Sequence, residues 1–478
     1  MVKQTLRQRY QAAQPNTGAL LPELFPEPPQ RQAASSARVA LRALVSVIAL
    51  AAGAVLLLLR IAGPSPVTTI WAEDRTVFLV GALAGPRHLF APYAGYLQLL
   101  PRLIAELVAF LPLPDAADAF AITGAVIAAA VSLFVFHASA GHIRSAWLRG
   151  LLAAAVLLLP VAPLEIADSG VNTPWYLLFA LFWAALWRPR TRGGMALAGA
   201  VAFLAGASTP LALAFAPLLI VRIAALRQIR EHAVTAGLAA GLLLQLPVIH
   251  AARNSRTGQH ASPRGVLSFV AHDVVLPALG WHLDWWLQDA VGRNGATLLV
   301  GCVLAAVFGA IAMTASARVR LVAAAALGSG FLLAAAAATL SRWVTVDPVS
   351  FHFEPGSRYT TLPIFLMEAA VITAVDAVIR RARERARPDE QAAACEESAW
   401  TGWASARCAT AAGATLVVVL SFAWVTDFRS DNGRAGGTLW APVAADWLAY
   451  CQRHPDGAVK TPPVDQTAVV IPCVNLRR

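Results

Sequence analysis

The sequence predicts an all-α, polytopic transmembrane bundle of about eleven spans, and three observations carry that prediction. Of the 478 residues, 58% are apolar and only 14% are charged. The apolar residues arrive in blocks close to the roughly 20 residues a helix needs to cross about 30 Å of hydrocarbon. Short arginine-bearing loops separate those blocks, a pattern no soluble core requires.

Residues 1–37 form an arm rich in proline, including Pro15, Pro22, Pro26, Pro28 and Pro29, and are read as cytoplasmic and disordered. An apolar block that begins so late is a retained first span, not a cleaved signal peptide. Spans are expected near 38–60, 119–139, 148–163, 174–187, 193–206, 208–226, 235–250, 294–315, 320–340, 359–379 and 408–425. Together residues 38–425 make the membrane bundle, followed by a small exoplasmic tail at 426–478.

The net charge of +11 would point to nucleic acid in a soluble protein, but its distribution excludes that partner here. Arg31, Arg38 and Arg42 precede or begin the first span, and later loops hold Arg144, Arg149, Arg188, Arg190, Arg192, Arg222, Arg227, Arg230, Arg318 and Arg320. A final run is Arg380, Arg381, Arg383, Arg385 and Arg387. One alternation places all of them in the cytoplasm of a bacterial inner membrane. Residues 93–112 are apolar too, but counting them as a crossing would invert every later loop. They are read as an interfacial or partly re-entrant helix.

The exoplasmic side then receives 61–118, 164–173, a turn at Thr209, 251–293, 341–358 and the tail. In the fourth of these, Trp281, Trp285 and Trp286 with Leu283 and Leu287 predict an amphipathic helix at headgroup level, as an aromatic belt or the wall of a lipid groove. Cys451 and Cys473 share the tail and are expected to pair, because an oxidising exterior permits it.

Charged and aromatic residues on that side form the candidate site. Glu73 and Asp74 adjoin in Trp71-Ala72-Glu73-Asp74-Arg75, and on a helix they point about 100° apart. One can face a cavity while the other holds Arg75 or a loop backbone. Arg87, His88 and Tyr93 follow, with Arg102 beyond; the arginines are phosphate contacts or ordinary snorkelling side chains. The second loop supplies Glu165, Asp168, Asn172 and Trp175. Glu165 and Asp168, three apart, could share a Mg²⁺ or Mn²⁺ ion or bind sugar hydroxyls. Asn172 either contacts substrate or caps the helix before Pro174. Last come His352, Glu354, Arg358 and Tyr359. An arginine at the outer end of a span opposes the positive-inside bias, so Arg358 is either a phosphate ligand or the partner of Glu354.

This arrangement resembles the GT-C glycosyltransferases, which take sugar from a polyprenyl-phosphate carrier on the exoplasmic face. The resemblance rests on the odd-numbered bundle, the acidic pair at 73–74, the residues at 165–172 and the Arg358-Tyr359 pair, and covers residues 38–425. The Ala-rich and Arg-rich composition resembles actinobacterial members that transfer arabinofuranosyl or mannosyl groups. It implies an inverting transferase with a polyprenyl-phosphate sugar donor, a cell-envelope glycan or lipid acceptor, contact with membrane lipids, and no organic cofactor. Asp74 is then the general base, with Glu73 the alternative, and Asp74→Asn is expected to spare the fold. The chain departs from the family in beginning its pair with Glu and in lacking a large carbohydrate-binding domain. A transporter or flippase and a non-catalytic envelope-assembly subunit are the competing functions. For the orientation, a cysteine introduced within 262–290 should react with an impermeant thiol reagent on intact cells, and one within 381–390 should not; the opposite labelling overturns it.

Overall fold

The computed structural model describes residues 21–26, 35–251, 263–340, 357–385, 411, 413–429, 437–461 and 469–476. Helices run in the order α1 (Ser36–Leu58), α2 (Leu99–Val108), α3 (Ala116–Ala138), α4 (Ala146–Leu158), α5 (Thr173–Leu186), α6 (Arg192–Ser208) and α7 (Ala216–Ala225). They continue with α8 (Ala233–Ala251), α9 (Pro263–Phe269), α10 (Trp281–Thr314), α11 (Ala317–Leu340), α12 (Ser357–Arg385), α13 (Gly413–Thr426) and α14 (Trp440–Arg453).

Among the described residues six helices are long and apolar enough to cross a membrane: α1, α3, α8, α10, α11 and α12. Five further apolar helices, α4, α5, α6, Pro210–Ala225 and α13, have only 10–17 residues. At 1.5 Å per residue these helices by themselves fall short of a full hydrocarbon crossing, so length and composition establish six candidate spans and leave the count of eleven unconfirmed. Helix α2, within the segment not counted as a crossing, has 10 residues and reaches about half way across such a thickness.

Helix α5 is the centre of the bundle. Every residue from Thr173 to Leu186 is buried, as expected of a helix that is apolar all round. Phe179 stacks on Phe365 of α12 with ring centroids 5.0 Å apart. Helices α6 and α8 lie against each other through glycines. A Cβ at Gly237 would strike the Gly199 carbonyl and one at Gly241 the Phe203 carbonyl, so the two backbones touch where side chains would normally intervene.

One end of the bundle is basic and its charges are spent on backbone groups. Arg222 donates to the carbonyls of Ala185, Trp187 and Glu231, while Arg188 pairs with Glu231. Asp376 of α12 accepts the backbone N–H groups of Arg144 and Ser145 at the start of α4 and also holds Arg380. The amino-terminal arm differs here from its expected disorder: Leu21–Leu24 form a 3₁₀ turn, and Phe25 is fully buried beneath Arg222, with its carbonyl taking a bond from Arg188. An aromatic ring under a guanidinium helps explain why this stretch docks.

The chain is mostly helical, and the tail adds a small β element to it. The tail holds α14 and an antiparallel pair, β1 (Ala458–Lys460) and β2 (Val470–Pro472), with Val459 opposite Ile471. Cys451 and Cys473 are bonded, their Cα atoms 5.1 Å apart. Cys395 and Cys408 lie outside the described residues. Trp440 fixes the tail to the first loop, its backbone N–H donating to Thr68 at 2.9 Å and its indole N–H to Leu113 at 2.6 Å. Phe78, Leu79, Ile104, Phe120, Trp440, Trp447 and Cys451 then share one apolar core.

The glycine seam can be tested directly. Gly237→Leu should lower stability by about 1–3 kcal/mol, the usual cost of overpacking, whereas Gly150→Ala in open space should be neutral or mildly stabilising. Thermal unfolding of the purified protein in detergent would measure both.

Candidate functional site

The opposite end carries the acidic and aromatic residues, and the adjacent carboxylates divide the work between them. Glu73 and Asp74 sit where the chain enters a π-helical turn, Asp74–Leu79, of the kind found at functional sites. Asp74 is fully buried. Its Oδ2 accepts from Ser169 Oγ at 3.1 Å and Gly170 N–H at 2.9 Å, and its Oδ1 from Val171 N–H at 2.8 Å. Gly170 makes this approach possible, since a Cβ there would lie 3.0 Å from Asp74 Oδ1 and 3.1 Å from the Phe120 ring. Asp74 therefore holds a loop backbone, one of the two roles open to the pair.

Glu73 is the carboxylate at the opening. Its side chain is 22% exposed, Tyr93 donates to it at 3.4 Å, and Arg358 Nη1 stands 3.8 Å away. Arg358 begins α12 and its side chain is 14% exposed. Glu165, on the short helix Ala162–Glu165, holds it at two points: Oε1 lies 3.1 Å from Nη1, and Oε2 accepts the Arg358 backbone N–H at 3.0 Å. Arg358 Nε is buried and has no hydrogen-bond partner among the described residues. Its observed carboxylate partners are Glu165 and Glu73; the rival Glu354 lies outside the described residues, as does His352.

Aromatic rings line this cluster. Tyr359 lies under the Arg358 guanidinium at 5.4 Å and meets Trp175 edge-on at 5.3 Å. Tyr96, which sequence reasoning did not single out, lies within electrostatic reach of Arg358 and Tyr359. Burial pushes its phenol up to about 12 and raises that of Tyr93 as well, so both stay protonated donors at neutral pH. A tyrosine three residues from another in a Pro-Tyr-Ala-Gly-Tyr loop was the only available signal.

Other candidates move away from the site or into the framework. Glu165 engages Arg358, whereas Asp168, at φ +57, lies within electrostatic reach of Arg60 and Tyr176. The left-handed turn at Asp168 precedes the N–H groups of Gly170 and Val171 that bond Asp74. Among the described residues no group of three His, Cys, Asp or Glu side chains is placed to hold a metal. Asn172 makes no side-chain cap; its amide donates back to Glu165 O at 2.9 Å and Ser169 Oγ at 3.3 Å. Arg102 is buried over Phe78 and donates to the carbonyls of Val77 and Ala91, so it shapes the loop. Arg87 is exposed and His88 half-buried on the 3₁₀ turn Pro86–Phe90. Trp285 and Trp286 are exposed ahead of Gly292, where φ of +73 breaks α10.

The division between the carboxylates has a measurable consequence. Asp74→Asn turns one acceptor into a donor facing N–H groups and should cost about 1.5–3 kcal/mol, contrary to the expectation that it spares the fold. Glu73→Gln should change stability by less than about 0.5 kcal/mol. Thermal unfolding of both variants decides, and the reverse order would return Asp74 to the opening. The chain matches no protein-family model, and no curated protein matches it.

Proposed function

We propose that the protein is an inverting, GT-C-like glycosyltransferase that moves sugar from a polyprenyl-phosphate donor to an envelope glycan or lipid acceptor. One observation carries the reading: a guanidinium clamped by Glu165, whose Nε has no hydrogen-bond partner among the described residues, stands beside the most accessible carboxylate of the cluster. A planar fork of this kind suits a phosphate, and a carboxylate next to it suits an acceptor hydroxyl. Within this proposal all five shorter apolar helices cross with their flanking residues, giving eleven spans, an inside amino end and an exoplasmic site.

Glu73 is the general base. It takes the acceptor O–H proton as that oxygen bonds to the anomeric carbon from the face opposite the donor. The bond from that carbon to the phosphate oxygen breaks, and the electron pair leaves on the phosphate, where Arg358 faces it. The O–H group of Tyr96, which accepts from Gln98, is available to the same anion. Asp74 and Glu165 act through others: the first sets the 169–171 loop, the second sets Arg358. A divalent ion remains compatible with donor phosphate plus Glu73, but nothing in the Glu165 and Asp168 arrangement requires one.

Transport or lipid flipping is the second reading, and one residue favours it. Glu368 lies well inside α12, is 8% exposed, and its two oxygens have no hydrogen-bond partner among the described residues. A buried acid within a span is a common mark of an ion or substrate path.

The assay is release of polyprenyl phosphate by purified protein given a panel of polyprenyl-phosphate sugars and envelope acceptors. Glu73→Gln should lower turnover ~10²–10⁴-fold without weakening donor binding. Arg358→Ala should weaken binding and turnover together. Glu368→Gln should leave turnover intact. Undiminished turnover in Glu73→Gln and Arg358→Ala would sink the mechanism, and transport lost only in Glu368→Gln would select the second reading.

A further inference from the structure

Two carboxylates share Arg358 and hold it unequally. Glu165 is 5% exposed and engages both the guanidinium at 3.1 Å and the backbone N–H at 3.0 Å. Glu73 is 22% exposed, stands 3.8 Å from the guanidinium, and takes one 3.4 Å bond from Tyr93. Both Glu73 distances exceed the roughly 2.7–3.2 Å of a good hydrogen bond, so its hold is mainly the attraction of opposite charges. Glu165 cannot depart without unmaking the start of α12. Glu73 can.

An oxyanion that reaches Arg358 meets this asymmetry. The guanidinium presents its donors along fixed edges, and Nε, on one of those edges, has no hydrogen-bond partner among the described residues. An anion placed there neutralises the charge that attracts Glu73 and adds a like charge beside it. The weakly held carboxylate is the group that gives way.

We infer that Glu73 and a phosphate monoanion compete for Arg358, with Glu165 as the positioning residue that keeps the guanidinium fixed while the exchange occurs. The inference rests on the reading of Arg358 as a phosphate ligand and adds a condition to it. In the empty site the base is leashed to a cation. Seating the lipid phosphate releases it, so an acceptor hydroxyl or a water is activated only when a donor is present. Tyr93, already on Glu73, remains as its partner after release.

The test is binding of radiolabelled decyl phosphate, and separately of inorganic phosphate, to the purified full-length protein in detergent. Glu73→Gln removes the competitor and should tighten binding by about fivefold or more. Glu165→Gln removes the clamp and should weaken binding by about tenfold or more. Arg358→Ala should abolish it. Thermal unfolding screens for folded protein, and Glu165→Asp, which keeps the charge but cannot make both contacts, replaces Glu165→Gln if the latter fails to fold. Tighter binding of decyl phosphate than of inorganic phosphate assigns a lipid source; equal binding assigns free phosphate. Absence of wild-type binding, or binding by Arg358→Ala equal to wild type, overturns the phosphate reading itself. Wild-type binding that is lost in Arg358→Ala but unchanged or weakened in Glu73→Gln overturns the exchange alone.

Discussion

A carboxylate with no route to water must be answered by the chain around it, and Asp74 is answered by three donors from a loop far away in sequence. That demand fixes much else at the acidic end. It brings residues 169–171 against the first loop and requires Gly170 beside it. It favours the left-handed turn at Asp168, and it leaves Glu165, a few residues earlier, to meet Arg358. Hydrogen bonds to a charged acceptor are worth more than neutral ones, and a buried charge without them would be intolerable. The loop has one geometry because the carboxylate has only one way to be satisfied.

What could be read from the sequence followed from hydrophobicity and sign of charge. Apolar blocks mark where α1, α3, α8, α10, α11 and α12 lie, and α2 appears where an apolar stretch was not counted as a crossing. Glu73, Asp74, Glu165, Arg358, Tyr359, Trp175 and Tyr93 do gather at one end. The sequence is silent on which of two adjacent acids is buried, because that depends on a turn 95 residues away along the chain. Sequence spacing also placed Glu165 and Asp168 on one helical face, yet the short helix stops at Glu165 and the chain then turns. Phe25 was hidden by its prolines, and the β pair in the tail by its brevity.

The two ends of the bundle handle charge in contrasting ways. At the basic end, Arg222 and Asp376 are consumed by carbonyls and N–H groups, so they act as pins between helix termini. At the acidic end Arg60 does the same, donating to the carbonyls of Leu157, Leu159 and Phe428, and burial lowers its pKa to about 10 without discharging it at neutral pH. Arg358 differs from these in facing carboxylates, and its Nε has no hydrogen-bond partner among the described residues. The proposed phosphate role rests on that difference in what surrounds the guanidinium, more than on its burial.

The contact between Trp440 and the first loop has a consequence for how the molecule is made. Thr68, Phe78 and Leu113 leave the ribosome early, whereas Trp440 follows Leu113 by 327 residues, with Cys451 and Cys473 later still. The core beneath the acidic pair therefore stays open on one side through nearly the whole of synthesis, and long-range closure of this kind is slow. Synthesis of residues 440–476 must precede it. That late segment thus sets when the acidic end matures: a chain cut before it could form its helices and still leave the platform under Glu73 and Asp74 unfinished.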